Sequence, residues 1–198
     1  ASIEGFKANP KKVWSWYQYR VNKVKNSNPN AAHYALAELQ NIKENFNLIT
    51  QNVDGLHQLA GSQNVIELHG SITRNKCFNC NKIYEDTVES SDELINCKYC
   101  NGLIRPDVVW FGETLPENEI KMAKEESSNT DLFFSIGTSA EVYPAAELPL
   151  VAKRNGALLI EINQVKTQLT NYSDFQIELN SGDALPLIVD KYKKRKKE

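Results

Sequence analysis

The chain of 198 residues is long enough for one full domain, or for a domain carrying a small module. With 41% hydrophobic and 24% charged residues it is expected to fold around a core, and no apolar run approaches the roughly 20 residues that a membrane span needs. The first residues, ASIEGFKANP, form no hydrophobic signal segment, so the expected setting is intracellular and cytoplasmic, with a mitochondrial or nuclear location left open. Formal net charge is -2, yet residues 190–198 carry six basic and two acidic side chains; a solvated, frayed terminus is expected there rather than a nucleic-acid-binding arm.

In chain order, Pro10 opens an amphipathic segment reaching Lys25, with Val13, Tyr17, Val21 and Val24 at helical spacings of four, four and three. Asn28, Pro29 and Asn30 supply cap chemistry for a second helix through Ala31, Leu36 and Leu39 that ends near Asn45. Residues 46–49 alternate like a short strand and give way to Thr50-Gln51-Asn52-Val53-Asp54-Gly55. Amides and a carboxylate thus fall where open α/β sheets bind ligands, at the end of a strand. A second apolar run, residues 65–68, stops at His69-Gly70, putting an imidazole beside a residue that permits close approach of a ligand or of backbone.

A polar insertion follows at 75–102, too hydrophilic to bury much surface by itself. Residues 108–111 are a compact apolar run, 116–127 an acidic helix, and 132–136 a buried strand stopped by Gly137-Thr138-Ser139. Residues 144–155 suit a helix broken near Pro149, 157–162 a strand ending in Asn163-Gln164, and 175–179 a last strand. Strands alternating with helices predict an α/β fold, a parallel sheet with helices on both faces. The sequence shows no internal repeat.

Cys77-x-x-Cys80 and Cys97-x-x-Cys100, separated by sixteen residues, account for every cysteine and match the spacing of a four-thiolate zinc ribbon. A metal would supply the core that the hydrophilic insertion lacks. Four thiolates leave no open coordination position, so the expected zinc is structural.

Three histidines compete for a chemical role. His33 falls on a predicted helix and is expected to pack or to face solvent, and His57, in the loop after Asp54, to cap or pack. For His69 the residue pattern alone leaves a structural strand-end role and a general base both open.

Thr50 through His57, Glu67-Leu68-His69-Gly70-Ser71, the two cysteine pairs, Arg105 through Glu113, Gly137-Thr138-Ser139 and Glu161-Ile162-Asn163 together resemble the sirtuin family of NAD-dependent protein lysine deacylases, in the family's order, from Glu4 to about Tyr192. The resemblance implies a Rossmann-like NAD-binding part (46–74 and 103–190), a zinc-ribbon insertion (75–102), a helical segment (1–45) contributing to the small module and the acyl pocket, and a basic tail (191–198). It implies that His69 is the general base, that Gln51, Asn52 and Asp54 line the nicotinamide and ribose end of NAD, and that Gly137, Thr138, Ser139, Asn163, Gln164, Val165 and Ser181 hold the rest of the dinucleotide. In the family the acyl oxygen attacks the nicotinamide ribose, nicotinamide leaves, and a histidine takes a proton from a ribose hydroxyl. Imidazole titrates near working pH, as that step requires. The products are free lysine, nicotinamide and O-acyl-ADP-ribose, and the zinc takes no part.

Val109, Trp110, Phe111, Gly112 and Glu113, with Glu141-Val142-Tyr143, resemble the two segments between which the family clamps an extended acyl-lysine peptide as an added strand. Tyr17 and Arg20, at i and i+3, resemble the pair with which one sirtuin subgroup holds the carboxylate of malonyl and succinyl groups. Protein acyl-lysines are the expected partners; neither a membrane nor nucleic acid is expected. Family members begin with a strand and a Gly-Ala-Gly-x-Ser loop that the residues before Pro10 do not contain. An incomplete representation of a longer protein is the expected explanation; a chain truly truncated there is expected to bind zinc with little NAD turnover. The alternatives are a mono-ADP-ribosyltransferase and an inactive zinc-ribbon adaptor.

Overall fold

The structure is a computed structural model, describing residues 2–84 and 93–196. Residues 85–92 of the expected zinc insertion and 197–198 of the expected tail lie outside the described residues. Helices α1 (Ile3–Ala8), α2 (Pro10–Lys25) and α3 (Ala31–Ile42) lead into strand β1 (Ile49–Thr50), helix α4 (Leu56–Leu59) and strands β2 (Ile66–Glu67), β3 (Gly70–Cys77), β4 (Ile83–Tyr84) and β5 (Ile104–Val108). Then come α5 (Glu117–Ser128), β6 (Leu132–Ile136), a 3-10 turn (Ala145–Glu147), α6 (Leu148–Arg154), β7 (Leu158–Ile162), a second 3-10 turn (Thr170–Tyr172), β8 (Phe175–Ile177) and α7 (Ser181–Arg195).

The chain forms two compact units, one of Ala1–Asn28, Thr50–Gly55 and Glu67–Glu117, the other of Pro29–Ile49, Leu56–Ile66 and Asn118–Glu198. This division departs from the boundaries drawn on sequence. Helix α3 groups with the parallel sheet rather than with α2, and β3 and β5 group with the cysteine segment rather than with the Rossmann-like part.

In the first unit β3 is the middle of an antiparallel sheet ordered β4-β3-β5. Lys76 opposes Ile83 and Cys77 opposes Ile104, while the β3–β5 register slips between Ser71 and Asn75. Helix α2 starts where expected, because the Asn9 side chain accepts from the Lys12 N–H at 3.0 Å and Pro10 needs no donor of its own. Its inner face buries Trp14, Tyr17, Gln18 and Val21. Phe6, Tyr17, Val21, Ile72 and Trp110 form one apolar cluster, and Trp14, Cys77, Cys97 and Ile104 another.

In the second unit β7 lies between β6 and β8, all parallel, with Leu159 and Ile162 fully buried. Strand β6 was expected to be buried, yet Leu132 is 42% exposed and only Ser135 is buried, since β6 is an edge of this sheet. Helices α3 and α7 pack Leu36, Leu39, Leu185 and Val189 with Ile162. Asn30 caps α3 and is answered by His33 in a reciprocal capping box, so His33 has a structural role. The helix expected across 144–155 begins as a 3-10 turn, and Pro149 sits in the first turn of α6, where its missing N–H costs nothing.

Among the described residues the basic run is not frayed as far as Lys196: α7 runs to Arg195, Lys193 pairs with Glu38, and the Lys196 Nζ donates to the Ile42 carbonyl at 3.3 Å. Anchoring by Leu185 and Val189 carries the helix into the charged run. Among the described residues no helix is long and apolar enough to cross a membrane.

Candidate functional site

His69 stands in the two-residue turn between β2 and β3. Its place is fixed by backbone on both sides: the Leu68 N–H donates to Thr50 O at 3.0 Å, and the Val109 N–H donates to His69 O at 3.0 Å. Gly70 follows with φ +73°, and a Cβ there would lie 2.1 Å from the Asp107 carbonyl oxygen. No other residue fits without moving β5. The partly buried imidazole has its Nδ1 3.1 Å from the Gln51 carbonyl oxygen. A carbonyl can only accept, so Nδ1 carries a hydrogen, and in the neutral imidazole that leaves the lone pair on Nε2, the tautomer a general base needs.

The polar loop lies in the same unit. The Asn52 N–H donates to Thr50 Oγ1 at 3.0 Å, and Val53 O accepts from Ile72 N at 2.8 Å, which ties the loop to β3. Asn52 is exposed; Gln51 and Asp54 are partly buried.

The second unit holds a cleft of about 650 Å³ where β6 and β7 end. It brings together five residues expected at the dinucleotide, Gly137, Thr138, Ser139, Asn163 and Val165, with Glu141, expected in a peptide-clamping segment, and with Lys166, Thr167 and Gln168, which the sequence reading missed. Gly137 turns the chain at φ +61° while its N–H donates to Ile162 O at 2.9 Å, and Asn163 Nδ2 donates to Thr138 O at 3.0 Å. Beneath the loop after β7, the buried Glu161 carboxylate accepts from the Thr167 hydroxyl and, at 2.7 Å, from the Thr170 hydroxyl. Two threonines shortly after an acidic strand residue are the only sequence signal for that anchor. Gln164 is exposed and Ser181 opens α7; neither lines the cleft.

The residues expected at the substrate behave differently from one another. Trp110 is 2% exposed, and its indole N–H donates to Tyr17 Oη at 2.7 Å within the aromatic cluster. The Glu113 carboxylate takes two bonds from Arg105, at 2.5 and 3.0 Å, and one from the Trp110 N–H at 2.8 Å. The Trp110 and Glu113 side chains therefore have their partners within the fold. Arg105, 2% exposed and stacked 3.2 Å from the Trp110 ring centre, also donates to Val108 O at 2.5 Å, so one buried cation sets the course of the whole loop. Burial alone would raise the Glu113 carboxyl, but the Arg105 bonds and the Trp110 N–H hold it below its ordinary range.

Phe111, at 83% exposure, and Gly112 do face solvent, as do Val142 and Tyr143 in the second unit, while Val109 is partly buried with its N–H spent on His69. On α2, Tyr17 is buried, and burial pushes its phenol up against the opposing effects of the Trp110 bond and of the Arg105 and Arg20 charges. Arg20 is exposed, its guanidinium 4.9 Å from the centre of the Trp16 ring.

The four cysteine sulfurs lie within 4.8 Å of one another, with Cys77 to Cys100 at 3.4 Å and Cys80 to Cys97 at 3.7 Å. None is bonded to another. A tetrahedron of Zn–S bonds of about 2.3 Å has edges of about 3.8 Å, so Cys77, Cys80, Cys97 and Cys100 fit a structural zinc ion. Burial would raise the Cys97 thiol, but the hydroxyl of Tyr84, at 3.1 Å, and the Tyr99 N–H bring it down to about 6, while, against the Gly102 backbone bond, bonding with the neighbouring sulfurs pushes Cys100 up to about 12, the mark of thiols crowded against one another.

With this geometry in hand, residues 1–144 match the Sir2 family. An NAD-dependent protein deacylase 2 from Pyrobaculum aerophilum is 45% identical over 98% of this chain and 78% of its own length. A Sir2 homologue crystallised with NAD superposes with a TM-score of 0.93 at 42% identity, covering 98% of this chain and 76% of that one. Sir2Tm bound to a propionylated peptide gives a TM-score of 0.87 at 36% identity, over 96% of this chain and 82% of that one. The chain belongs to the Sir2 family. Its fold is the Rossmann-like α/β fold of those structures, and its enzyme class is that of its relatives, NAD-dependent protein deacylation.

Proposed function

We propose that the protein removes acyl groups from lysine side chains of proteins at the expense of NAD, with His69 as general base and with succinyl- and malonyl-lysine preferred to acetyl-lysine. The observation that carries the first part is the Nδ1 contact to the Gln51 carbonyl, which leaves Nε2 as the proton acceptor. NAD supplies an activated ribose carbon as the acceptor of the acyl oxygen. Gln51, Asn52 and Asp54 would hold its nicotinamide ribose; Gly137, Thr138, Ser139, Asn163, Gln164, Val165 and Ser181 would serve the rest of the dinucleotide. His69 then accepts the proton of a ribose hydroxyl. Phe111, Gly112, Val142 and Tyr143 would border an extended peptide.

The acidic-acyl preference is supported by the pair on α2. Tyr17 Oη accepts from Trp110 and keeps its own hydrogen to donate, and Arg20 lies one turn on with its charge felt by the phenol. Charge-assisted bonds to an acyl carboxylate are worth about 1.5 to 3 kcal/mol, or about 10- to 100-fold. The comparisons favour neither the transferase nor the adaptor alternative.

The test is to incubate the purified full-length protein with NAD and matched succinyl-, malonyl- and acetyl-lysine peptides and to follow peptide mass and free nicotinamide. Loss of acyl mass with release of nicotinamide, abolished by His69→Ala, is the expected result; a gain of one ADP-ribose overturns it. Arg20→Met is expected to erase the acidic preference while sparing some deacetylation, and an unchanged preference refutes the pocket.

A further inference from the structure

We propose that Arg74 is a positioning residue for His69, a bracket that clamps the two segments holding the imidazole; this rests on the reading of His69 as the general base. The clue is the break in the β3–β5 ladder. Ser71 opposes Asp107 and Asn75 opposes Pro106, so residues 72–74 are extra on the β3 side. Such bulges re-aim a side chain, and here the one re-aimed is a guanidinium.

Arg74 Nε donates to Asp107 Oδ2 at 2.7 Å, and its Nη1 donates to Glu67 Oε2 at 3.1 Å. Glu67 is two residues before His69 on the β2 side of the turn. Asp107 is two residues before Val109, whose N–H holds the His69 carbonyl, and its own carbonyl is the oxygen pressed against Gly70. One planar fork therefore ties together the strand that enters the histidine turn and the strand that supports it. Both carboxylates are largely buried, 16% and 12% exposed in their side chains, while Arg74 is 38% exposed; each bond is charge-assisted because both partners are ionic, with its acceptor drawn out of solvent. Lys76 also reaches Asp107, with Nζ 3.2 Å from Oδ1. Its ammonium is a point charge without the planar fork that Arg74 lays across both carboxylates. Among the described residues the partners of Arg74 are Asp107 and Glu67, neither of them a group expected at the substrate, so its effect on the reaction passes through the segments that hold the imidazole.

The experiment uses the full-length protein, labelled with ¹⁵N for imidazole NMR, alongside steady-state kinetics with NAD and an acyl-lysine peptide. Wild type is expected to show one His69 tautomer, with hydrogen on Nδ1. In Arg74→Met that signal should give way to mixed tautomers, and kcat should fall about 10- to 100-fold with KM for both substrates changed less than about twofold. Arg74→Lys, which keeps the charge but not the fork, should fall between them and guards against a variant that does not fold. Lys76→Met should leave the His69 tautomer intact. The proposal is overturned if Arg74→Met retains the wild-type tautomer, or if Lys76→Met disturbs His69 as strongly as Arg74→Met does. A tautomer change in Arg74→Met, together with a wild type that shows no deacylation, would uphold the bracket and refute the proposed activity instead.

Discussion

The core of the second unit is mainly hydrocarbon, Leu159, Ile162 and Leu185 at 0% exposure and Val189 at 1%, with the buried Glu161 carboxylate answered by two threonine hydroxyls rather than by a cation. The first unit mixes its aromatics with charge and sulfur, burying Arg105 at 2% beside Trp110, and Cys77 and Cys97 at the foot of a three-stranded sheet. A parallel sheet covered by amphipathic helices has enough apolar surface to support itself. A short antiparallel sheet with a polar insertion does not, and metal ligation and ion pairing take over. Such substitutes are directional and respond to chelators and to acid, whereas hydrocarbon packing does neither.

Metal removal should separate the units most. Chelation, or Cys77→Ser, is expected to strip the zinc and expose the amides of β3, β4 and β5 to hydrogen exchange, while β6, β7 and α7 stay protected. Structural zinc is worth on the order of 10 kcal/mol or more, larger than any single side chain. Equal loss of protection in both units would show that they fold as one.

Next come matched single substitutions. Glu113→Gln leaves the buried Arg105 guanidinium without its counter-charge and should cost about 3–5 kcal/mol in urea denaturation. Leu185→Ala opens a cavity in the second unit and should cost about 2–5 kcal/mol. The two are of similar size and differ in salt and pH response, since only the first removes a charge.

Acid gives a smaller and more selective effect. The Glu113 carboxyl is held below its ordinary range, so the stability it contributes is fully present above the unfolded value of about 4.3 and is lost as pH falls through the lower folded value. Wild type should therefore lose stability below about pH 4 more steeply than Glu113→Gln, as read from denaturation midpoints across pH 2.5 to 6. The smallest effect is expected at the surface, where Lys193→Met, removing the partner of Glu38, should change stability by less than about 1 kcal/mol.

Much of the site could be read in advance because its signals are local. A glycine after a histidine, two Cys-x-x-Cys turns at ribbon spacing, and small polar residues where an apolar run stops all state a backbone requirement within a few residues. The inward turn of the Trp110 and Glu113 side chains was not legible, for the opposite reason. Tandem position beside Phe111 and Gly112 says nothing about which side chains turn inward, and that depends on Arg105, whose burial is a tertiary fact. Strand β6 and helix α7 failed similarly: an apolar run does not say whether it is an edge, and a basic run does not say whether the helix before it is anchored.

By itself, then, the sequence determined the α/β class and the four cysteines at ribbon spacing, since each follows from residue type and short spacing, and it carried the family resemblance, which in turn named the candidate base. Only the tertiary structure decided which tautomer His69 adopts, which of the residues at 109–113 face solvent, and where the helices and strands divide into two units. Those depend on contacts between residues tens of positions apart, such as Gln51 with His69 and Tyr17 with Trp110, and no local pattern encodes them.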